Sequence, residues 1–562
     1  MAENKVEEYY LTDDPLTLHN ILQHDLHVKK WQVLSKMLIN HPYPYYHIDQ
    51  ISNLINMVVN KALNDPDGIA FSWYLKDTQV SISYLHFYED IIYAAKQIEH
   101  KKQVNCHIGL IGNNSYEWLL IYMAILLSGN VAVVLDKDME SGELENIVQR
   151  MDIVAIIADE SIKAKMSFDS PVDIFLFSEI TEHRDIEQID IDLFSVNTEI
   201  DPDKLACIFL TSGTTGARKG VMLSHRNIAS NINESCKLFK LDGDTLAVLP
   251  FHHAFGLIVA VWMVFNYGHT VYISQGLRRI NKELMLVKPQ TLMLVPLFVE
   301  NFSKQIRMTI KKNRQEIRFR RTVKISNALL RCGIDIRRMI FKDILSQFGG
   351  KIEYIICGGA FLDKEYVKEF RSYGIEILNG YGTTECSPVA AVNRNKHHKD
   401  GSVGLSLPNS KVSVSSDGEV LVSGEFVMQG YYKDPDSTSQ SIINGWYHTG
   451  DLGRIDKEGF VFLSGRKTNL IVLSNGENIS PEEIEQMILR IENVDEVVVS
   501  SDNGRINASI YSKDLDAIKK REIKEQIDEL NRTMPMYKRV SQIVFRDEEF
   551  KKTTTKKIVR ND

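Results

Sequence analysis

The chain has 562 residues, with 66 Lys and Arg against 74 Asp and Glu, for a formal net charge of −8. That length exceeds what one hydrophobic core serves, so several domains are expected. Hydrophobic residues at 44% and charged residues at 25% are ordinary for a folded soluble protein, and the mildly acidic balance argues against nucleic acid as the main partner.

The opening MAENKVEEYY is polar and acidic, unlike a secretory leader. Residues 1–50 read as a short helical extension. From 51 onward, apolar strand-like runs alternate with helical patterns: CHIGLIG at 106–112, VAVVL at 131–135, VAIIA at 154–158 and CIFL at 207–210. Such alternation predicts parallel sheets covered by helices. The apolar run Trp118–Leu135 breaks at Ser128-Gly129-Asn130, which predicts a helix and then a buried strand. The run Ala254–Asn266 is too short to cross about 30 Å of hydrocarbon. A soluble, cytoplasmic protein is therefore expected. Cys106, Cys207, Cys236, Cys332, Cys357 and Cys386 have no C-x-x-C or metal-ligand spacing, as expected of buried thiols in a reducing compartment.

Residues 304–324, KQIRMTIKKNRQEIRFRRTVK, carry nine Lys or Arg and a single acid, Glu316. They read as a basic helix, either a solvated face or a contact for a membrane, for CoA phosphates or for an acidic carrier protein. Beyond about 400, KVSVSS (411–416), EVLVSG (419–424) and FVFLSG (460–465) predict a small antiparallel subdomain. Ser480-Pro481 with Glu483 predicts a capped helix to about Arg490, followed by a strand at VDEVVVSS, a helix over about 515–532 and a strand at VSQIVF. The predicted divisions are an extension (1–50), a large domain (51–465) and a small α+β domain (466–562).

The stretch TSGTTGARKG, Thr211–Gly220, follows the buried strand CIFL and precedes GVMLSHRNIASNI, read as helical. It is not the common P-loop, because Lys219 is followed by Gly220 rather than Ser or Thr. Gly213, Gly216 and Gly220 would permit close approach to a ligand. Backbone N–H groups and the hydroxyls of Thr211, Ser212, Thr214 and Thr215 would donate to phosphate, and Arg218 and Lys219 add charge. Five further stretches accompany it: LPFHHAFG (249–256), CGGA (357–360) with NGYGTTECSP (379–388), YHTGDLG (447–453), GRKTNLIVLSNGENISPEEIE (465–485) and FKKTTTKKIVR (550–560).

This ordered set resembles the adenylate-forming superfamily of acyl-CoA synthetases, luciferases and peptide-synthetase adenylation domains, from about residue 50 to the C-terminus. The resemblance implies an α/β fold: a large N-terminal domain of parallel sheets covered by helices with a small antiparallel subdomain, then a small mobile α+β C-terminal domain. It implies ATP, Mg²⁺ and CoA, or the phosphopantetheine of an acyl carrier protein. His253 would stand beside the incoming carboxylate, with His252 as its rival. Gly359, Ala360, Asn379, Gly380, Tyr381, Gly382 and Thr383 would surround the nucleotide, with Tyr381 stacked on adenine. Thr384 would bond the α-phosphate, and Glu385 with Thr211 would hold Mg²⁺. Asp451 would accept from the ribose hydroxyls and Arg466 would reach ribose or phosphate. Lys467 would be the hinge, and Gly476 would line the pantetheine tunnel. Lys557, with Lys556 as rival, would be the catalytic lysine. The family's usual proline at 218 is Arg218, and its closing proline and glycine are Lys551 and Lys556.

VPLFVENF, RRMIF and FGGKIEYIICGGAFLD look like long-chain fatty acyl-CoA synthetases. The resemblance thus implies activation of a medium- to long-chain fatty acid as acyl-AMP and then its thioester with CoA. The alternatives are a fatty acyl-AMP ligase loading a carrier protein, adenylation of an aryl or other small acid, or a nucleotide-binding relative without catalysis. Phe255–Phe265 would form core or wall the acyl tunnel.

Overall fold

The computed structural model describes residues 43–164, 166, 172–182, 200–212, 218–472, 478–502, 505–513, 515–552, 558 and 560. The proposed extension over 1–50 lies mostly outside the described residues. The chain divides into two compact units: Met1–Lys411 with Val422–Gly445, and Val412–Leu421 with Trp446–Asp562.

The first unit contains two sheets. Five strands of the first run parallel in the order Leu205–Ser212, Val131–Val134, His107–Ile111, Ile153–Ala158 and Asp173–Leu176. Most of the Ile, Val and Ala residues of the four inner strands are buried, with Val154 the exposed exception, as strands covered on both faces require, whereas the edge strand Asp173–Leu176 is only partly buried. Arg218–Ser224 and Gly430–Tyr431 extend this sheet antiparallel at the Leu205–Ser212 side. The second sheet has nine strands. Ile69–Leu75, Val271–Ile273, Thr245–Ala247, Thr291–Leu294, Tyr354–Cys357 and Glu376–Gly382 run parallel, and antiparallel strands close both edges.

Helix Tyr116–Leu127 is buried nearly all round, and Ser115 caps it by accepting from Trp118 N at 3.1 Å. Ser128 ends it before strand Val131–Val134, as the sequence predicts. Phe255–Met263 winds as a π-helix and passes into the α-helical turn Val264–Tyr267. A Cβ at Gly256 would lie 2.2 Å from Pro250 O, so only glycine fits where this segment starts. Trp262 and Phe265 pack on Phe71 and Phe87, which makes this stretch core.

The basic segment is not one helix. Pro296–Lys312 and Glu316–Arg331 are separate, with Arg314 between them at φ +53. Cys332 is exposed and Cys106 half-buried, so the expectation of buried thiols holds only for Cys207, Cys236, Cys357 and Cys386. Among the described residues, no helix is long and apolar enough to cross a membrane.

In the second unit, Trp446–Ile455 pairs antiparallel with Val461–Arg466. Three further strands, Glu496–Asp502, Arg505–Tyr511 and Val540–Arg546, form a sheet against helices Pro481–Leu489 and Ala517–Thr533, around Ile484, Ile488, Ile510, Ile523 and Ile527. The sequence reading passes over Arg505–Tyr511. The predicted capping box at Ser480 does not form. Ser480 Oγ donates to Glu482 at 2.7 Å, and Glu483 is drawn off by Lys538 at 2.6 Å.

Candidate functional site

The phosphate-type loop joins two antiparallel strands, with Thr211 opposite Lys219 and Ser212 opposite Arg218. This corrects the strand–loop–helix expectation. Val221 and Leu223 face the core at a spacing of two, and Ser224 starts the helix only at His225. The backbone of this hairpin therefore has to supply any phosphate donors without a following helix N-terminus. Gly213, Thr214, Thr215 and Gly216 lie outside the described residues, as does the side chain of Ser212. Gly220 lies within a strand, and a Cβ there would meet Met151 Sδ at 2.6 Å. Packing, not ligand approach, requires that glycine.

Arg218 does not add charge to the loop. Its Nε is 2.7 Å from Glu143 and its guanidinium 3.6 Å from buried Asp136. Lys219 Nζ stands 4.7 Å from the ring centre of Tyr431. The Tyr431 hydroxyl donates to Glu385 Oε1 at 2.9 Å. One tyrosine thus touches both the loop cation and the carboxylate proposed for the metal.

Glu385 sits in the 3₁₀ turn Thr384–Cys386, directly after strand Glu376–Gly382. Asn231, fully buried on helix His225–Cys236, donates to Cys386 O at 2.8 Å and Val389 O at 2.7 Å, so it fixes that turn. One turn earlier on the same helix, Asn227 donates to Glu425 O and Val427 O. The four-residue spacing puts both asparagines on one face.

Parallel pairing of Cys357 with Asn379 brings Gly358-Gly359 alongside Gly380-Tyr381. Gly359 has φ +82. At Gly382 a Cβ would lie 1.7 Å from Pro388 O. Tyr381 is buried, and Thr384 and Ala360 flank the same strand ends. Asn379 Oδ1 and Thr383 Oγ1 are buried with no hydrogen-bond partner among the described residues. Unmet buried polar atoms cost about 1–3 kcal/mol each, so two on one strand end beside Gly358-Gly359 favour a polar ligand. The Phe255 ring comes within 3.3 Å of a Cβ built on Gly358, which joins LPFHHAFG to this region.

The two histidines separate. Their rings lie 4.2 Å apart. His252 is buried with Nε2 3.5 Å from Asp136 Oδ1, and burial lowers its pKa although Asp136 opposes this. His253 is half-buried, and its N–H donates to Pro250 O at 3.2 Å.

In the second unit Asp451 is buried and Arg466 Nε lies 2.9 Å from its Oδ1, across a register that sets the two residues opposite each other. Lys467 Nζ lies 2.7 Å from Asp417 and 3.1 Å from Glu419. The hydrogen bond from Lys467 holds the Asp417 carboxyl well below the usual carboxylate range. Lys557 and its rival Lys556 lie outside the described residues, as does Gly476. Of the described residues on either side, Lys552 bridges antiparallel to Ile558, and Arg560 pairs with Glu485.

Comparison with known proteins matches the AMP-binding enzyme family over residues 59–432 and the AMP-binding enzyme C-terminal domain over 468–562. The chain belongs to the AMP-binding enzyme family. It is 25% identical over 495 residues to long-chain-fatty-acid–CoA ligase FadD15 of Mycobacterium bovis, covering 83% of this chain and 82% of that one. It is 26% identical over 454 residues to long-chain-fatty-acid–CoA ligase 5 of Rattus norvegicus, covering 72% of this chain and 66% of the relative. Among solved structures it resembles ATP-bound MatB from Rhodopseudomonas palustris (TM-score 0.72, 23% identity, 90% of this chain and 97% of that one). It also resembles o-succinylbenzoate coenzyme A synthetase from Bacillus subtilis in complex with ATP and magnesium ion (TM-score 0.70, 22% identity, 90% and 98%). These two likenesses bear out the expected α/β fold with its large and small domains.

Within this AMP-binding enzyme, sequence reading misses Tyr431, Asn231 and Asp136. The pair Asn227/Asn231 carries a detectable signal, since asparagine is a weak helix former and two at a spacing of four call for tertiary partners. Nothing in QGYYKDP marks Tyr431. For the metal, the described residues hold no cluster of three or more His, Cys, Asp or Glu. One carboxylate oriented by a phenol fits Mg²⁺, which takes few protein ligands and completes its shell with phosphate oxygens and water.

Proposed function

We propose that this AMP-binding enzyme is an AMP-forming acid–thiol ligase that activates a medium- to long-chain fatty acid with ATP and passes the acyl group to CoA. The observation that carries the nucleotide half is the run Asn379–Glu385. It presents two buried polar atoms without a partner among the described residues and a carboxylate oriented by Tyr431, beside Gly358-Gly359 and Phe255. The acyl half rests on the long-chain-fatty-acid–CoA ligase relatives, matched along most of the chain at about 25% identity.

In this reading the carboxylate of the acid attacks the α-phosphorus of ATP, forming acyl-AMP and releasing pyrophosphate. Two anions must meet. Lys557 bridges them, which helps most as charge builds in the transition state. Glu385, with Thr211, would hold Mg²⁺, whose charge when bound neutralises the phosphates. Lys219 and the loop hydroxyls of Thr211, Ser212, Thr214 and Thr215 orient the leaving pyrophosphate. Tyr381 stacks on adenine, Thr384 bonds the α-phosphate, and Asp451 and Arg466 take the ribose. His253, the less buried of the pair, borders the carboxylate, and His252 holds Asp136 behind it. For thioester formation the small domain turns at Lys467, so that Lys557 leaves and Gly476 arrives beside the pantetheine.

Pyrophosphate release with Mg-ATP across acids from acetate to stearate, plus benzoate, with and without CoA, tests the reading. An optimum at a fatty chain with CoA stimulation is expected. An optimum without CoA stimulation would replace CoA by a carrier-protein thiol. An optimum at benzoate would replace the fatty acid, and no release with any acid would overturn the catalytic reading.

A further inference from the structure

Among the described helices longer than eight residues, Glu316–Arg331 has the fewest buried residues, since only Ser326 on it is buried. Phe319, Ser326 and Leu330 turn inward at a helical spacing, and Phe319 packs on Phe341 and Tyr373. The opposite face carries Ile317, Arg321, Lys324, Ile325 and Ala328, at spacings of three, four and seven, all exposed. Ile317 is 71% exposed and Ile325 60%. Met308 on the preceding helix is 56% exposed, and Met339 beyond the following turn is 72% exposed. Large apolar side chains therefore stand in water between cations.

Those cations are unengaged. Among the described residues, no carboxylate pairs with Lys312, Arg314, Arg318, Arg320, Arg321 or Lys324, whereas Arg307 on the preceding helix is taken by Glu369. A chain of net charge −8 thus gathers positive charge, unpaired among the described residues, along a helix about 24 Å long, at 1.5 Å per residue.

We propose that the exposed face of Glu316–Arg331 is a docking surface for the anionic face of a lipid bilayer. Arg and Lys meet the headgroup phosphates, while Ile317 and Ile325 enter the boundary between headgroups and acyl chains. The pattern favours lipid over an acidic protein. The apolar side chains stand exposed and interleaved with cations that no carboxylate pairs among the described residues; an anionic headgroup layer over acyl chains takes up both at once, whereas an acidic protein surface would engage the cations alone. The inference extends the acyl-ligase reading by naming where an amphiphilic acid is collected, yet docking itself requires no catalysis.

The test is co-sedimentation of the full chain with vesicles of neutral phosphatidylcholine alone or with about a third anionic phosphatidylglycerol, at low and high salt. Binding is expected only to the anionic vesicles and should fade as salt screens the cations. The triple variant R320E/R321E/K324E should lose at least about tenfold in vesicle affinity, on the scale set by adjacent basic residues at such membranes. Its pyrophosphate release with a water-soluble acid should remain at the wild-type level, which also reports correct folding. Ile317→Ser should weaken binding at high salt more than at low salt. Equal binding to neutral and anionic vesicles, no binding at low salt, or full binding by the triple variant would each overturn the proposal. Capture of an acidic carrier protein without vesicle binding would overturn it in favour of a protein partner. Because sedimentation reads no chemistry, it can fail while fatty-acid activation stands, and the reverse.

Discussion

Replacing Tyr431 with Phe isolates one atom of the candidate site. The ring remains under Lys219 Nζ at 4.7 Å, and only the hydroxyl that donates 2.9 Å to Glu385 is removed. Both side chains are buried, so water cannot readily replace the lost donor. A hydrogen bond to an ionised buried acceptor is worth about 1.5–3 kcal/mol. If the orientation of Glu385 matters only when metal and phosphate are bound, that energy is lost from the transition state. The expected fall in rate at limiting Mg²⁺ is then about 10- to 150-fold. Initial rates of pyrophosphate release should be measured with Mg²⁺ titrated at saturating ATP and acid, alongside a chemical denaturation curve. The variant should need several times more Mg²⁺ and recover part of its rate at high Mg²⁺, with a denaturation midpoint close to wild type. Rates and Mg²⁺ dependence within twofold of wild type would refute the idea that Tyr431 positions Glu385.

Asn231→Ala removes two donors to buried carbonyls of the turn that carries Glu385, at 2.8 and 2.7 Å, and should cost about 3 kcal/mol of unfolding free energy in denaturant titration together with a loss of activity. His225 is pushed down from 6.5 to about 4 by burial, with Asp201 opposing and Lys204 assisting. A depressed folded pKa means its stabilising share is complete above pH 6.5 and lost as pH falls toward 4. Wild type should therefore lose up to about 3 kcal/mol across that window, and His225→Gln should show a flatter acid limb in urea midpoints. Lys467→Pro should leave pyrophosphate release near wild type but slow thioester formation at least about tenfold, with Lys467→Ala as the control for the half-exposed ion pairs to Asp417 and Glu419, which contribute little. Equal loss of both half-reactions would defeat the hinge reading.

What the sequence makes legible follows from the range of the forces involved. Buried parallel strands such as VAVVL and VAIIA are legible because both faces must be apolar, and that pattern is local. The helix within the apolar run from Trp118, broken at Ser128-Gly129-Asn130, is legible from local pattern too. The hairpin at Leu205–Ser224 is not. GVMLS runs straight into the helical pattern HRNIASNI, and its strand character comes from pairing with CIFL and with Gly430–Tyr431 far along the chain. Glu483 has the spacing of a capping box, but the ammonium of Lys538, 55 residues later, competes for it and wins. The candidate site divides likewise. Glu385, Tyr381 and Asp451 can be named from motifs, whereas Tyr431 and Asn231 matter through contacts 46 and 155 residues distant in sequence, which no local pattern encodes.

Arg218 shows how a departure from a motif can preserve its purpose by different physics. A proline at this position fixes φ near −65° and stiffens the hairpin through the backbone, an effect of about 0.4–1 kcal/mol where the geometry suits. Arg218 ties down the same place through its side chain, to Glu143 on helix Ser141–Arg150 at 2.7 Å and to buried Asp136 at 3.6 Å. Asp136 in turn faces His252 at 3.5 Å, so Arg218 at the end of the 213–217 connection and the histidine pair share one buried carboxylate. Restoring the proline would stiffen the backbone but leave Asp136 without its guanidinium. Removing one partner of a fully buried pair costs about 3–5 kcal/mol, and with Arg218 a quarter exposed a loss of about 2 kcal/mol is the fitting scale. The lost ion pair outweighs the gained stiffness: R218P should be less stable by about 1 kcal/mol in urea titration at neutral pH. R218P/D136N, which removes the stranded carboxylate as well, should regain most of that loss. A single R218P as stable as wild type would mean that backbone stiffness, not the Asp136 contact, is what this position supplies.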